Sequence, residues 1–136
     1  MITYRAGNDL DVDEVIALYR ASTLGERRPV ENREKFKLML QHANLVITAW
    51  DEKLLVGIAR SFSDFSFVTY LSCLVVRDTH QRLGIGKELM RRTQLAAGMD
   101  VRIVLLSAPQ AVEYYPRMGY TQHMSAWTLG PNENLK

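Results

Sequence analysis

At 136 residues the chain is long enough to bury a core unaided, and its one cysteine, Cys73, excludes an internal disulfide and any cysteine-based metal cluster. A net charge of +2 without a basic, aromatic-interleaved stripe argues against nucleic acid, and no apolar run approaches a membrane span. Hydrophobic residues at 47% and charged residues at 24% point to one globular domain over residues 1–136, suited to a reducing cytoplasm.

In chain order, Ile2 to Ala6 reads as a strand. Asp11 to Ser22 reads as a helix, with Asp11 and Glu14 at capping spacing and Val15, Leu18 and Tyr19 on one face. Leu24 to Val30 is loop, and Glu31 to His42 is a second helix striped by Phe36, Met39 and Leu40. Two strands follow, Leu45 to Trp50 and Leu54 to Phe62, joined by the turn Asp51-Glu52-Lys53. A strand over Thr69 to Val76 leads through a glycine turn into a helix from Gly84 to Ala97, with Ile85, Leu89, Thr93 and Ala96 facing inward. Strand Val101 to Ser107, helix Gln110 to Met118 and a last strand near Met124 to Leu129 complete the chain. Periodicity alone gives the class as α/β or α+β. Cys73 lies within a strand with no His at an activating spacing, and reads as a small packing residue. Histidines 42, 80 and 123 are scattered, so no metal is expected.

The glycine turn is the most informative segment. Gln81-Arg82-Leu83-Gly84-Ile85-Gly86 stands between the apolar run Leu74-Val75-Val76 and a helix beginning near Lys87. Helix-opening N–H groups lack intrahelical partners and carry the positive end of the macrodipole, and glycine lets an anion approach them. A nucleotide P-loop needs a Ser or Thr after the lysine, but Glu88 follows Lys87. A dinucleotide fingerprint needs a third glycine where Leu89 stands.

Gln-x-x-Gly-x-Gly after a strand ending in Val, then a basic amphipathic helix, resembles the acyl-CoA pyrophosphate loop of the GCN5-related N-acetyltransferase (GNAT) family. The run Ala111-Val112-Glu113-Tyr114-Tyr115-Pro116-Arg117-Met118-Gly119-Tyr120 resembles that family's late signature, in the same order along the chain. The resemblance implies a mixed, mostly antiparallel central sheet with helices on both faces, in the order β-α-α-β-β-β-α-β-α-β. It also implies acetyl-CoA as co-substrate, held at the pyrophosphate by Gln81, Arg82, Leu83, Gly84, Ile85, Gly86 and Lys87. Leu74, Val75 and Val76 would splay from the neighbouring strand, pair with the pantetheine arm and offer N–H groups to the carbonyl oxygen. Where the family often has Asn, Ser107 is the polar residue left to touch the cofactor.

Tyr115, four residues before Gly119, occupies the place of the family's general acid, while Tyr114 is expected in the core. The strand before the loop carries no carboxylate. The base is therefore open among Asp64, Glu26 and a water chain on backbone and Ser72. The acceptor pocket implied by the resemblance uses the loop from Leu24 to Pro29, with Arg60 and Asp64 nearby. Arg27 and Arg28 either clamp an acceptor carboxylate or phosphate or form a solvated loop. Arg91 and Arg92 read as a solvated helix face. The expected partners are acetyl-CoA and an amine, with no nucleic acid and no membrane, in a monomer or homodimer. The alternative is an acyl-CoA-binding module with little catalysis.

Overall fold

Runs of β-branched and aromatic residues place five strands in one sheet of the computed structural model, which describes residues 1–136. They are β1 (Ile2–Ala6), β2 (Leu45–Asp51), β3 (Leu54–Ser63), β4 (Val68–Val76) and β5 (Arg102–Leu105), in that spatial order. Pairing is antiparallel from β1 to β4 and parallel between β4 and β5. The helices are α1 (Val12–Arg20), α2 (Arg33–His42) and α3 (Ile85–Ala97). The chain forms two compact units, Met1–Leu106 and Ser107–Lys136.

Within the first unit the helices take opposite faces of the sheet. Val15, Leu18 and Tyr19 of α1 and Phe36 and Leu40 of α2 pack with Trp50, Ile58, Cys73 and Val75. On the other face Ile85 and Leu89 of α3 lie so close to Gly57 that a Cβ there would stand 3.0 Å from Leu89 Cδ1. The helices begin as their sequences dictate: Asp11 caps α1 by accepting from Asp13 N–H, and Asn32 caps α2 by accepting from Lys35 N–H. The stripes on α1 and α2 hold as expected. On α3 the inward residue near its end is Ala97, and Ala96 is exposed.

The sheet contains a one-residue irregularity that the burial pattern conceals. Arg60 pairs with Cys73 and Ser61 with Leu71, which leaves Ser72 as an extra residue in β4. Leu71 therefore shares a face with Ser61, whereas Cys73, two residues on, shares the opposite face with Arg60.

The second unit differs from expectation. No helix forms over Gln110 to Met118, which instead contains 3₁₀ turns at Pro109–Ala111 and Pro116–Met118. Pro116 cannot donate to a continuing helix and Gly119 ends the segment at φ 96°. The segment near Met124 to Leu129 pairs with no strand. The order of regular elements is thus β-α-α-β-β-β-α-β.

Candidate active site

The turn before α3 has the geometry of an anion cradle. Gly84 is the N-cap, at φ 81° and ψ 7°, and no side chain caps the helix. The first intrahelical bond runs from Glu88 N–H to Gly84 O, so the N–H groups of Ile85, Gly86 and Lys87 have no partner within the helix. Space beside Gly84 is open, with nothing within 4 Å of where a Cβ would stand. Arg82 (φ 65°) and Lys87 are exposed alongside, as is Leu83. Gln81 is exposed, and its amide donates to Val76 O at 3.2 Å and to Asp78 Oδ1 at 3.2 Å, tying the turn to the end of β4.

Glu88 would repel an anion at the first helical turn, but Arg91 and Arg92 grip it at 2.6 and 2.7 Å. Hydrogen bonds from Arg91 and then Arg92 hold its carboxyl down at about 2. Because the folded value lies below the ordinary one of about 4.3, the stabilisation is present above that pH and drains away as pH falls toward the folded value. Glu88→Gln should therefore melt below wild type near neutral pH, with the gap closing by about pH 2 in thermal melts across the acid range.

β4 leads into this turn with one edge open. Its parallel pairing with β5 covers only Val68–Leu71, so Cys73–Val76 keep β3 as their partner on one side, and Ser72–Val76 have no β5 residue on the other. Leu74, Val75 and Val76 pair with Ala59, Ile58 and Gly57 and lie on this open stretch.

Where the two strands part, the bulge residue Ser72 is held by two arginines. Arg28 Nη2 donates to Ser72 O at 2.7 Å, and Arg60 Nη2 donates to Ser72 Oγ at 2.9 Å. Cys73 Sγ lies 3.3 Å from Arg28 Nε and 3.5 Å from Arg60 Nη2. Arg60 is 5% exposed and also donates to Met39 O on α2. Cys73 is buried, as its strand position implied, yet it touches two guanidinium groups as well as apolar neighbours. Burial alone would raise its thiol, but Arg60 and then Arg28 outweigh this and hold it below the ordinary thiol range.

The other residues expected on the acceptor side are placed differently. Arg27 is exposed. Arg28 turns inward to β4 instead of standing free beside it. Asp64 Oδ1 accepts from the N–H groups of Ser66, Phe67 and Val68, and these bonds lower its carboxyl. Its oxygen is thus engaged within its own turn, where a low carboxyl makes a weak base.

In the second unit Tyr114, Tyr115 and Tyr120 form an aromatic cluster, with Tyr115 5.3 Å from Tyr114 and 5.5 Å from Tyr120 between ring centroids. Tyr114 is 40% exposed, which corrects its assignment to the core: without a helix here, nothing turns its ring inward. Burial, followed by the neighbouring phenols, pushes the Tyr115 hydroxyl up to about 12. Ser107 opens this unit and is half-buried.

Known proteins decide the family. The profile of an acetyltransferase (GNAT) domain matches residues 22–127. The chain belongs to the GNAT acetyltransferase family. A GNAT-family acetyltransferase from Streptococcus pneumoniae TIGR4 shares the fold at a TM-score of 0.80 and 23% identity, over 98% of this chain and all of that one. An aminoglycoside N-acetyltransferase in complex with CoA matches at a TM-score of 0.73 and 14% identity, over 97% of this chain and 95% of that one. An uncharacterized N-acetyltransferase from Pyropia yezoensis is 29% identical over 100 residues, and one from Gracilaria tenuistipitata var. liui is 31% identical over 100 residues. Each alignment covers 69% of this chain, which spans only about half the length of these curated relatives (56% and 53%).

Two residues of this GNAT chain take a role other than the expected one: Arg60, expected beside the acceptor pocket, is buried and holds Ser72. Ser72 entered the sequence reading only as a water-chain residue, and its bulge leaves no compositional trace. Arg60 did leave one, as the lone charged side chain in the apolar run from Leu54 to Phe62. A third interaction, His80 Nε2 with Asp51 Oδ2 at 2.8 Å, joins the β2–β3 turn to the segment before the glycine loop and lowers the Asp51 carboxyl.

Proposed function

We propose that residues 1–136 act as one acetyl-CoA-dependent N-acetyltransferase domain, moving an acetyl group directly to the primary amine of a small molecule or peptide. The observation that carries this reading is a conjunction in the first unit. A β4 edge left open over Ser72–Val76 runs straight into a helix start whose first N–H groups lack partners. An extended pantetheine chain suits the first feature and a pyrophosphate the second.

The residues present fit acetyl-CoA. N–H groups of Ile85, Gly86 and Lys87 would take the pyrophosphate, with Arg82 and Lys87 adding charge. Backbone groups of Leu74, Val75 and Val76 would hold the pantetheine arm, and their N–H groups would face the charge growing on the carbonyl oxygen. When bound, acetyl-CoA supplies a thioester carbon open to a neutral amine. Tyr115 stays protonated at physiological pH and would donate to the departing sulfur. The acceptor's proton would leave through Glu26 or through water on Ser72 and the backbone, since Asp64 is a weak base. The free cysteine suits a cytoplasmic setting, and the domain would work as a monomer or homodimer.

The test is release of free CoA thiol from acetyl-CoA across a panel of amines, with melting shifts run in parallel. Stabilisation by CoA together with turnover on any amine supports the reading. Stabilisation without turnover on any of them would instead favour an acyl-CoA-binding module. A larger shift with ATP and Mg²⁺ would move the loop to nucleotide chemistry.

A further inference from the structure

The α1/α2 face of the sheet has an unbalanced interior charge. Arg60 is 5% exposed and Arg28 is half-buried, yet none of the ion pairs in the chain includes either of them. A guanidinium inside a protein needs a counter-charge or a full set of acceptors. The groups facing this pair can be named element by element. α1 contributes the Tyr19 hydroxyl, the segment between α1 and α2 the Arg27 carbonyl, α2 the Met39 carbonyl, and β4 Ser72 and Cys73. Only Tyr19 and Cys73 can carry negative charge. Burial pushes the Tyr19 phenol well up from an ordinary value already near 10, so it stays neutral. Two buried polar atoms remain unmatched: Arg60 Nε, and Tyr19 Oη, which faces the sulfur and Arg60 without closing a hydrogen bond. Unmatched donors beside a sulfur that already touches two guanidinium groups mark a place built for an anion.

We propose that Cys73 stands as a thiolate, the shared counter-ion of Arg28 and Arg60, and that this buried triad is a positioning device for acetyl transfer. The proton passes to solvent on folding. The sulfur draws the two guanidinium groups together, and each then takes one atom of Ser72, the carbonyl by Arg28 and the hydroxyl by Arg60. The bulge is thereby fixed where β4 and β5 part, at the start of the open edge. The thiolate follows from the geometry alone, whereas its catalytic consequence rests on the acetyltransferase reading above. Because the folded thiol lies below its unfolded value, the triad's contribution to stability is complete above that unfolded value. It fades as pH falls through the folded one.

With one cysteine in the chain, thiolate ultraviolet absorption reports on this group alone once a Cys73→Ser background is subtracted. Absorption already present at pH 7 and lost only on acidification is the expected result. Absorption that instead rises through the ordinary thiol range, at about 8.5, would overturn the proposal. The catalytic part is read with Cys73→Ser and Cys73→Asp on whichever amine turns over. The neutral Ser should lower kcat by about tenfold or more with little change in KM for acetyl-CoA, and the permanent anion of Asp should restore most of the loss. In wild type the acid limb of kcat should coincide with the absorption titration. Equal kcat in wild type and Cys73→Ser would refute the positioning role, even if Cys73→Asp failed to fold. Absence of turnover on every amine would count against the acetyltransferase reading, while the absorption still decides the thiolate.

Discussion

Tyr115→Phe should lower kcat by about 10²-fold while leaving CoA affinity and melting temperature near wild type. The change removes one hydroxyl and keeps the ring, so the contacts with Tyr114 and Tyr120 survive. General-acid groups typically contribute 10²–10⁴-fold, and the lower end is expected for a physical reason. A phenol raised to about 12 is always protonated at working pH, but it is a reluctant donor. Passing its proton to a thiolate whose parent thiol sits near 8.5 runs uphill by ~5 kcal/mol. The hydroxyl therefore helps most as a hydrogen-bond donor to the developing charge. Wild-type kcat should accordingly show no basic limb from this group below about pH 11. Full turnover by the Phe variant at every pH would remove Tyr115 from the chemistry.

Gly84→Val should weaken CoA binding by at least tenfold and lower the melting temperature. The two effects have separate causes. The backbone stands at φ 81°, and a β-branched side chain in that region costs about 1–3 kcal/mol. The added methyl groups would also fill the open space through which a phosphate must reach the N–H groups of Ile85, Gly86 and Lys87. Gly84→Asn separates these effects, because Asn tolerates the left-handed region but still carries a side chain. It should recover most of the stability and less of the affinity, as read by calorimetric titration with CoA. If Gly84→Val bound CoA as tightly as wild type, the pyrophosphate could not lie on this turn.

What was legible in the sequence was whatever depends on local order. The α1 and α2 stripes, the glycine turn and the strand before it are each set by residues within a few positions of one another, and each formed as expected. Long-range features were not legible. Arg28, Arg60 and Cys73 meet across separations of 45 and 13 residues, and no spacing rule anticipates that. Cys73 looked like a packing residue because its strand is apolar; its ionic neighbours come from another strand and a loop. The tail misled for a local reason. Apolar spacing from Gln110 to Met118 suited a helix, but Pro109, Pro116 and Gly119 break the backbone into tight turns.

Ser72 makes the length of β4 a matter of parity. Thr69 and Leu71 face the α3 side and Cys73 and Val75 the opposite side, so a single strand supplies two different interiors. Deleting Ser72 would re-knit the ladder with each side chain still on its present face, because Leu71 and Cys73 would then be neighbours and alternate as Ser61 and Arg60 do. Thr69 and Leu71 would stay on the α3 side and the sulfur beside Arg60, and the loss would be the hydroxyl that Arg60 holds. Removing a residue from the regularly paired part of β4 would instead roll one half of the strand over, so the ladder can shorten without inversion only at the bulge.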